Sequence, residues 1–300
     1  MLAISTTWKS GLLADTKEML LQIKEVGLDA IELGYNLREE KLEEVISLLP
    51  GLGIKVASVH NFCPLPSVSR PGRFATDYYR LSSLNERERK KAVECTKATI
   101  DTASRVSCGI IVMHAGTVEF SRSYIRKLID LYNQGKHGSR AFLRLKEKIL
   151  SERKARKEPY LQSLIKSLEQ VLPYAVSSGV KVGLETRYYP NEIPNLEEAE
   201  SLLARFKDKG LVYWHDLGHA EVNQRFGITA HSEYLEKFSG CMAGMHLHDI
   251  KGIDDHLAPF CGEFDFTKIA AYMREDLIKV IEAHAPATSQ QIKKAIERLR

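Results

Sequence analysis

Residues 2–33 read LAISTTWKSGLLADTKEMLLQIKEVGLDAIEL. A short apolar run, Leu2–Ser5, is followed by a stretch of helical period and then by a second apolar run, Ala30–Leu33. Within the middle stretch Met19, Leu20, Ile23 and Val26 recur at i, i+1, i+4 and i+7, the spacing of one helix face. Gly27 stands where a helix must stop before a strand begins. This is a strand–helix–strand unit, and the same alternation runs to the end of the chain. Further strands are expected at Lys55–Val59, Gly109–Met113, Lys181–Leu184, Leu211–Trp214, Met242–Leu247 and Leu277–Ile281. Helical stretches fall near 15–26, 38–49, 86–106, 158–178, 195–207, 229–238, 266–274 and 289–299. Eight strands alternating with eight helices predict a parallel sheet covered by helices. Its natural closure is an α/β architecture of one domain over residues 1–300, a single (β/α)8 TIM barrel. The open doubly wound sheet is disfavoured because no GxGxxG follows the first strand.

The chain has 300 residues, 44% of them hydrophobic and 27% charged, with a mean hydropathy of −0.25. No apolar run approaches the roughly 20 residues a membrane span requires. The N-terminus lacks the basic and apolar regions of a signal peptide, and five cysteines without a CxxC predict reduced thiols in a cytoplasmic protein. Residues 136–157 hold nine Lys/Arg against Glu147 and Glu152, a local +7 in a chain of net +4, so the remainder carries −3. The expectation is a basic helical insertion after strand 4, within residues 115–157, lying over the C-terminal face of the barrel. Such a balance does not describe a protein coated for general nucleic-acid binding.

Eight of the ten histidines (His60, His114, His215, His219, His246, His248, His256, His284) lie at or just beyond the C-terminal ends of expected strands. Glu185, Asp216, Asp249, Asp254 and Glu282 occupy comparable positions. Residues at that end of a barrel converge on one axis, where enzymes of this fold keep their chemistry. Imidazoles and carboxylates crowded into one concave site repel or stay unpaired unless a cation joins them. Mixed nitrogen and oxygen ligands suit Zn2+, Mn2+ or Co2+ and disfavour Ca2+. Strand parity puts His246 and His248 on one face and turns His215 away.

The ordered set Ser58-Val59-His60, Val112-Met113-His114-Ala115-Gly116, Gly183-Leu184-Glu185, His215-Asp216-Leu217-Gly218-His219-Ala220, Met245-His246-Leu247-His248-Asp249, Asp254-Asp255-His256, Gly262-Glu263 and Val280-Ile281-Glu282 resembles the xylose isomerase-like TIM barrel superfamily. D-x-x-H after strand 6 together with H-x-x-D after strand 7 is its most specific part. Resemblance to the sugar and sugar-phosphate isomerase and epimerase branch implies one divalent metal held by Glu185, Asp216, His246 and Glu282, with Glu185 and Glu282 moving a proton through an enediolate. His219 would then meet substrate or a second ion. Arg187, His248, Lys251 and Glu32 are the candidate substrate-binding residues. Resemblance to the endonuclease IV branch implies up to three zinc ions on His60, His114, Glu185, Asp216, His219, His246, Asp254, His256 and Glu282, and cleavage of a phosphodiester in abasic DNA.

Three features favour the sugar branch. His60-Asn61-Phe62-Cys63-Pro64 lacks the tyrosine and asparagine pattern of the nuclease branch. Leu81–Arg89 resembles sugar-phosphate isomerase relatives, and the −3 balance outside 136–157 does not suit a duplex. Against these, Arg70, Arg73, Arg80 and the basic segment could form a nucleic-acid surface, and under the sugar-phosphate reading the same arginines could grip a single phosphate group. The expected partner is therefore a small sugar or sugar phosphate, with nucleic acid only under the alternative. A homo-oligomer is compatible with the sequence.

Overall fold

The computed structural model describes residues 1–68 and 74–300, so Arg70 and Arg73 lie outside the described residues. Eight strands, each parallel to its neighbours, close a barrel in chain order: β1 (Leu2–Ser5), β2 (Ala30–Leu33), β3 (Lys55–His60), β4 (Ile110–Met113), β5 (Lys181–Glu185), β6 (Leu211–Asp216), β7 (Met242–Leu247) and β8 (Ile278–Ile281). Closure is made at β1, where Ile4 pairs with Ile31 on one side and Ile281 on the other. The strands are almost wholly buried, as continuous apolar runs in a helix-covered parallel sheet should be. Trp214 of β6 fills part of the barrel interior, and a Cβ on Gly244 of the neighbouring strand would collide with its ring. A glycine there is what allows so large a side chain in the core.

Apart from a single helical turn at Thr7–Ser10, the α-helices among the described residues are α1 (Thr16–Glu25), α2 (Glu39–Leu52), α3 (Glu86–Arg105), α4 (Arg122–Asn133), α5 (Arg140–Ser177), α6 (Leu196–Arg205), α7 (Leu217–Arg225), α8 (His231–Phe238) and α9 (Ser289–Leu299). Local chemistry starts several of them. Asp15 accepts from the amide of Glu18, Asn85 from those of Arg87 and Glu88, and Asn195 with Glu198 forms a reciprocal cap. Two short antiparallel strand pairs stand at the strand ends, Gly116–Thr117 with the distant Glu192–Ile193 and the hairpin of Asp249–Lys251 with Asp254–Leu257.

The structure departs from the sequence expectation in three places. The basic segment and the expected helix 158–178 are one helix, α5, of 38 residues that runs through Pro159 and Pro173. At 1.5 Å per residue it is about 57 Å long, far longer than the strands it covers. The segment is also not a purely solvated face. Arg153 is buried and forks onto Glu198, with Nη1 and Nη2 at 2.6 Å from the two carboxylate oxygens, while Nη2 also donates to the Glu192 carbonyl at 2.7 Å. Helix α7 was not foreseen: β6 runs into it without a loop, Asp216 ending the strand and capping the helix by accepting from the His219 amide. Residues 266–272 form a 3-10 turn rather than an α-helix. Among the described residues no helix is long and apolar enough to cross a membrane.

Candidate metal centre and its cavity

Four strands bring the central donor set together. Glu185 ends β5, Asp216 ends β6, His246 lies in β7 and Glu282 follows β8, and one donor atom of each lies within 4.8 Å of the others. All four are buried. His246 Nδ1 lies 2.8 Å from Glu185 Oε1, 2.9 Å from Glu282 Oε2 and 3.5 Å from Asp216 Oδ2. Its other nitrogen, Nε2, lies 3.1 Å from Glu32 Oε2, which also accepts from the Ser58 hydroxyl at 2.7 Å. When Nε2 gives its proton to Glu32, neutral His246 turns a bare Nδ1 toward three carboxylates. That arrangement is repulsive alone and is what a cation needs, a ligand histidine oriented from behind by a carboxylate.

Without a cation the same carboxylates draw a proton onto the ring in its place. Burial pushes the Glu185 carboxyl up, but His114 and His246 outweigh it and hold it well below the usual range. Glu282 is likewise raised by burial and carried well down by His246 and His256. Burial lowers His246, yet Glu282 and Glu32 take it well above an ordinary imidazole. Four carboxylates, including fully buried Glu32, thus surround one imidazole. Three oxygens and one nitrogen make a donor set that fits Mn2+ or Zn2+.

Further donors flank this set. His114 Nε2 lies 2.7 Å and His60 Nε2 3.9 Å from Glu185 Oε2. His60 Nδ1 donates to the Asn61 carbonyl at 3.1 Å, and His219 Nδ1 to that of Thr186 at 2.9 Å, so each leaves its Nε2 bare. His60, Glu185 and His246 form a second possible metal-holding group, His219, Asp255 and His256 a third, and His256, Glu282 and His284 a fourth. His248 plays a different part. Its Nδ1 accepts the His256 amide at 3.0 Å, which puts the proton on Nε2, and Nε2 donates to Asp216 at 3.1 Å. The ring of His248 lies against Gly218, where an added Cβ would overlap it. The glycine of the D-L-G-H motif therefore makes room for the histidine that orients Asp216.

The remaining candidates are placed as follows. Arg187 donates to Glu185 at 2.8 Å and Glu192 at 2.7 Å. Glu32 is beneath His246 and outside the cavity lining. Lys251 and Asp254 are exposed, and Asp254 belongs to none of the donor groups although it borders the cavity. His215 turns away from the centre and pairs with Tyr213 and His231. A cavity of about 390 Å³ opens over the donors, walled by Tyr35, Asp77, Arg187, Tyr188, Tyr189 and Glu192 among others. Sequence reasoning passed over Asp255, Tyr35, Asp77, Tyr188 and Glu192. Of these only Asp255 carried a signal, its place beside His256.

The profile of the xylose isomerase-like TIM barrel family matches residues 20–300. Uncharacterized protein MJ1311 of Methanocaldococcus jannaschii is 27% identical over 207 residues, which are 65% of this chain and 56% of that protein's length. This chain therefore matches little more than half of that relative. Among solved structures, a D-tagatose 3-epimerase-like protein superposes with a TM-score of 0.65 at 22% identity, over 99% of this chain and 95% of the other. D-psicose 3-epimerase from Clostridium cellulolyticum, solved with D-tagatose, superposes with a TM-score of 0.68 at 13% identity, over 100% and 98%. These superpositions establish a shared fold. The chain belongs to the xylose isomerase-like TIM barrel family.

Proposed function

We propose that this member of the xylose isomerase-like family is a metal-dependent sugar isomerase or epimerase that works by proton transfer at a carbon next to a carbonyl. The observation that carries the reading is the position of His246 Nδ1, set among Glu185, Asp216 and Glu282, with Glu32 at Nε2 behind it. A divalent ion on those four residues would polarise a carbonyl and the adjacent hydroxyl and so acidify the intervening C–H. The two glutamates are not equivalent. Glu185 is engaged through both oxygens, by His246 on one and by His114 and Arg187 on the other. Glu282 is contacted through Oε2 alone among the described residues, which leaves Oε1 to take the proton. It is therefore the base that forms the enediolate, and Glu185 can return a proton to the other face only by passing on one taken from His114, whose Nε2 lies 2.7 Å from its Oε2. Tyr188 and Tyr189 wall the cavity and exclude water from the exchanging carbon.

A second reading has its own observation. His60 and His219 also present bare nitrogens toward carboxylates, the preparation expected of a three-zinc phosphodiesterase acting on abasic DNA. One experiment separates the two. Metal-loaded protein in deuterated solvent should introduce deuterium beside the carbonyl of a ketose, and Glu282→Gln should stop this while leaving the sugar bound. Absence of exchange across a panel of sugars and sugar phosphates, with cutting of an abasic duplex and about three ions per chain, would replace the isomerase reading by the nuclease one.

A further inference from the structure

Beside the cavity over the donors lies a second one of about 600 Å³, and Phe74, Asp77, Tyr189 and Glu192 line both. Its outer wall is supplied by α4, through Ile125, Arg126 and Ile129, and by Thr117 of the first short strand pair. It therefore depends on the segment inserted after β4. The first cavity alone is within the roughly 300–1,000 Å³ range of small-molecule sites, so a free monosaccharide would leave the second empty.

The chemistry of the walls narrows what fills it. Phe74 is 64% exposed yet lies flat against Tyr189, with ring centres 6.3 Å apart and planes 17° apart. A large aromatic face is thus kept in place at the junction of the two cavities, with Phe120 as a second apolar face. The arginines do not make an anion trap. Arg80 is held by Glu88, Thr117 and Glu119 and Arg187 by Glu185 and Glu192, two carboxylates to each arginine, and that surplus offsets the charge of Arg122 and Arg126 on the wall. With flat apolar faces, hydrogen-bonding Thr117 and Asn191, and no excess positive charge, the chamber suits an uncharged ring bearing hydroxyls.

We propose that the substrate is a two-unit carbohydrate, its reacting sugar over the donor set and a glycosidically linked second ring against Phe74 and Tyr189. This rests on the isomerase reading, and binding separates the two claims. D-fructose, D-fructose 6-phosphate and isomaltulose share one ketose end and carry a hydroxyl, a phosphate or a glucosyl ring at the other. In ligand-observed NMR titrations of the zinc-loaded protein, isomaltulose should bind about tenfold more tightly than D-fructose. Phe74→Ala should remove that advantage by weakening isomaltulose far more than D-fructose. Ile129→Trp, which fills the chamber, should do the same and guards against misfolding of the first variant. Equal affinities, no binding of any probe, or a preference for the phosphate that Arg126→Glu abolishes, would each overturn the proposal. A preference for isomaltulose without deuterium exchange would keep the subsite and refute the isomerase reading.

Discussion

Replacing Glu32 by glutamine tests whether the carboxylate beneath His246 prepares its ligand nitrogen. Glu32 is fully buried, and its Oε2 accepts from Ser58 at 2.7 Å and from His246 Nε2 at 3.1 Å. Glutamine has nearly the same shape, but it removes the charge and can turn its amide so that it donates to Nε2. The ring proton then moves to Nδ1, the atom that must be bare. A hydrogen bond involving a charged group contributes about 1.5–3 kcal/mol. Losing the carboxylate behind a ligand histidine weakens metal affinity about 10- to 100-fold, or about 1.4–2.7 kcal/mol. The two routes agree on a loss near 30-fold. Ser58→Ala leaves the charge and removes one positioning bond, so about fivefold is expected. The assay is competition for Zn2+ against a chromophoric chelator at neutral pH, with circular dichroism to verify folding. A folded Glu32→Gln protein whose affinity stays within about twofold of the parent would refute the tautomer argument.

Arg153→Met leaves Glu198 buried with only the Asn195 amide at 3.0 Å and Lys157 at 3.7 Å as partners among the described residues. A loss of about 3–5 kcal/mol is expected, a fall of roughly 5–8 °C in Tm for a chain of this size, and Arg153→Met/Glu198→Gln should recover much of it; an unchanged single variant would contradict a structural role. Gly218→Ala should displace His248 from Asp216 and sharply reduce activity, and retention of full turnover would count against the contact. Burial, together with the neighbouring His256, lowers His284 to about 4. The unfolded chain then takes up a proton near pH 6.5 that the folded protein refuses until about pH 4. His284 alone should cost the metal-free protein about 2 kcal/mol of stability from pH 7 to pH 4.5, and a His284→Asn protein with the same slope in urea titrations would dissociate that loss from this residue.

The strands were legible because each is a short apolar run bounded by helical periodicity, and the donors were legible because a strand's last residue faces the barrel mouth. Long-range order in the helices was less so. Pro159 suggests a break, yet α5 passes through it, since Pro159 is exposed and the flanking turns are packed. Helix α7 escaped because no loop precedes it and Asp216 serves two elements. The choice between Asp254 and Asp255 could not be made by counting. Their hairpin shifts register between Asp249 and Lys251, and His256 takes a left-handed φ of 58°, so strict alternation fails where it was needed. The phosphate grip expected of Arg80 is likewise not available, because side chains distant in sequence already satisfy it.

The length of α5 has a mechanical consequence. A chamber walled by a surface loop can gape while the rest of the protein stays folded, because little else is tied to the loop. Here α4 packs against a rod whose far half is part of the barrel's own jacket and whose middle is riveted by Arg153 to the strap carrying Glu192. Swinging that wall outward would lever the jacket from the barrel, so this side of the chamber is as stiff as the barrel itself.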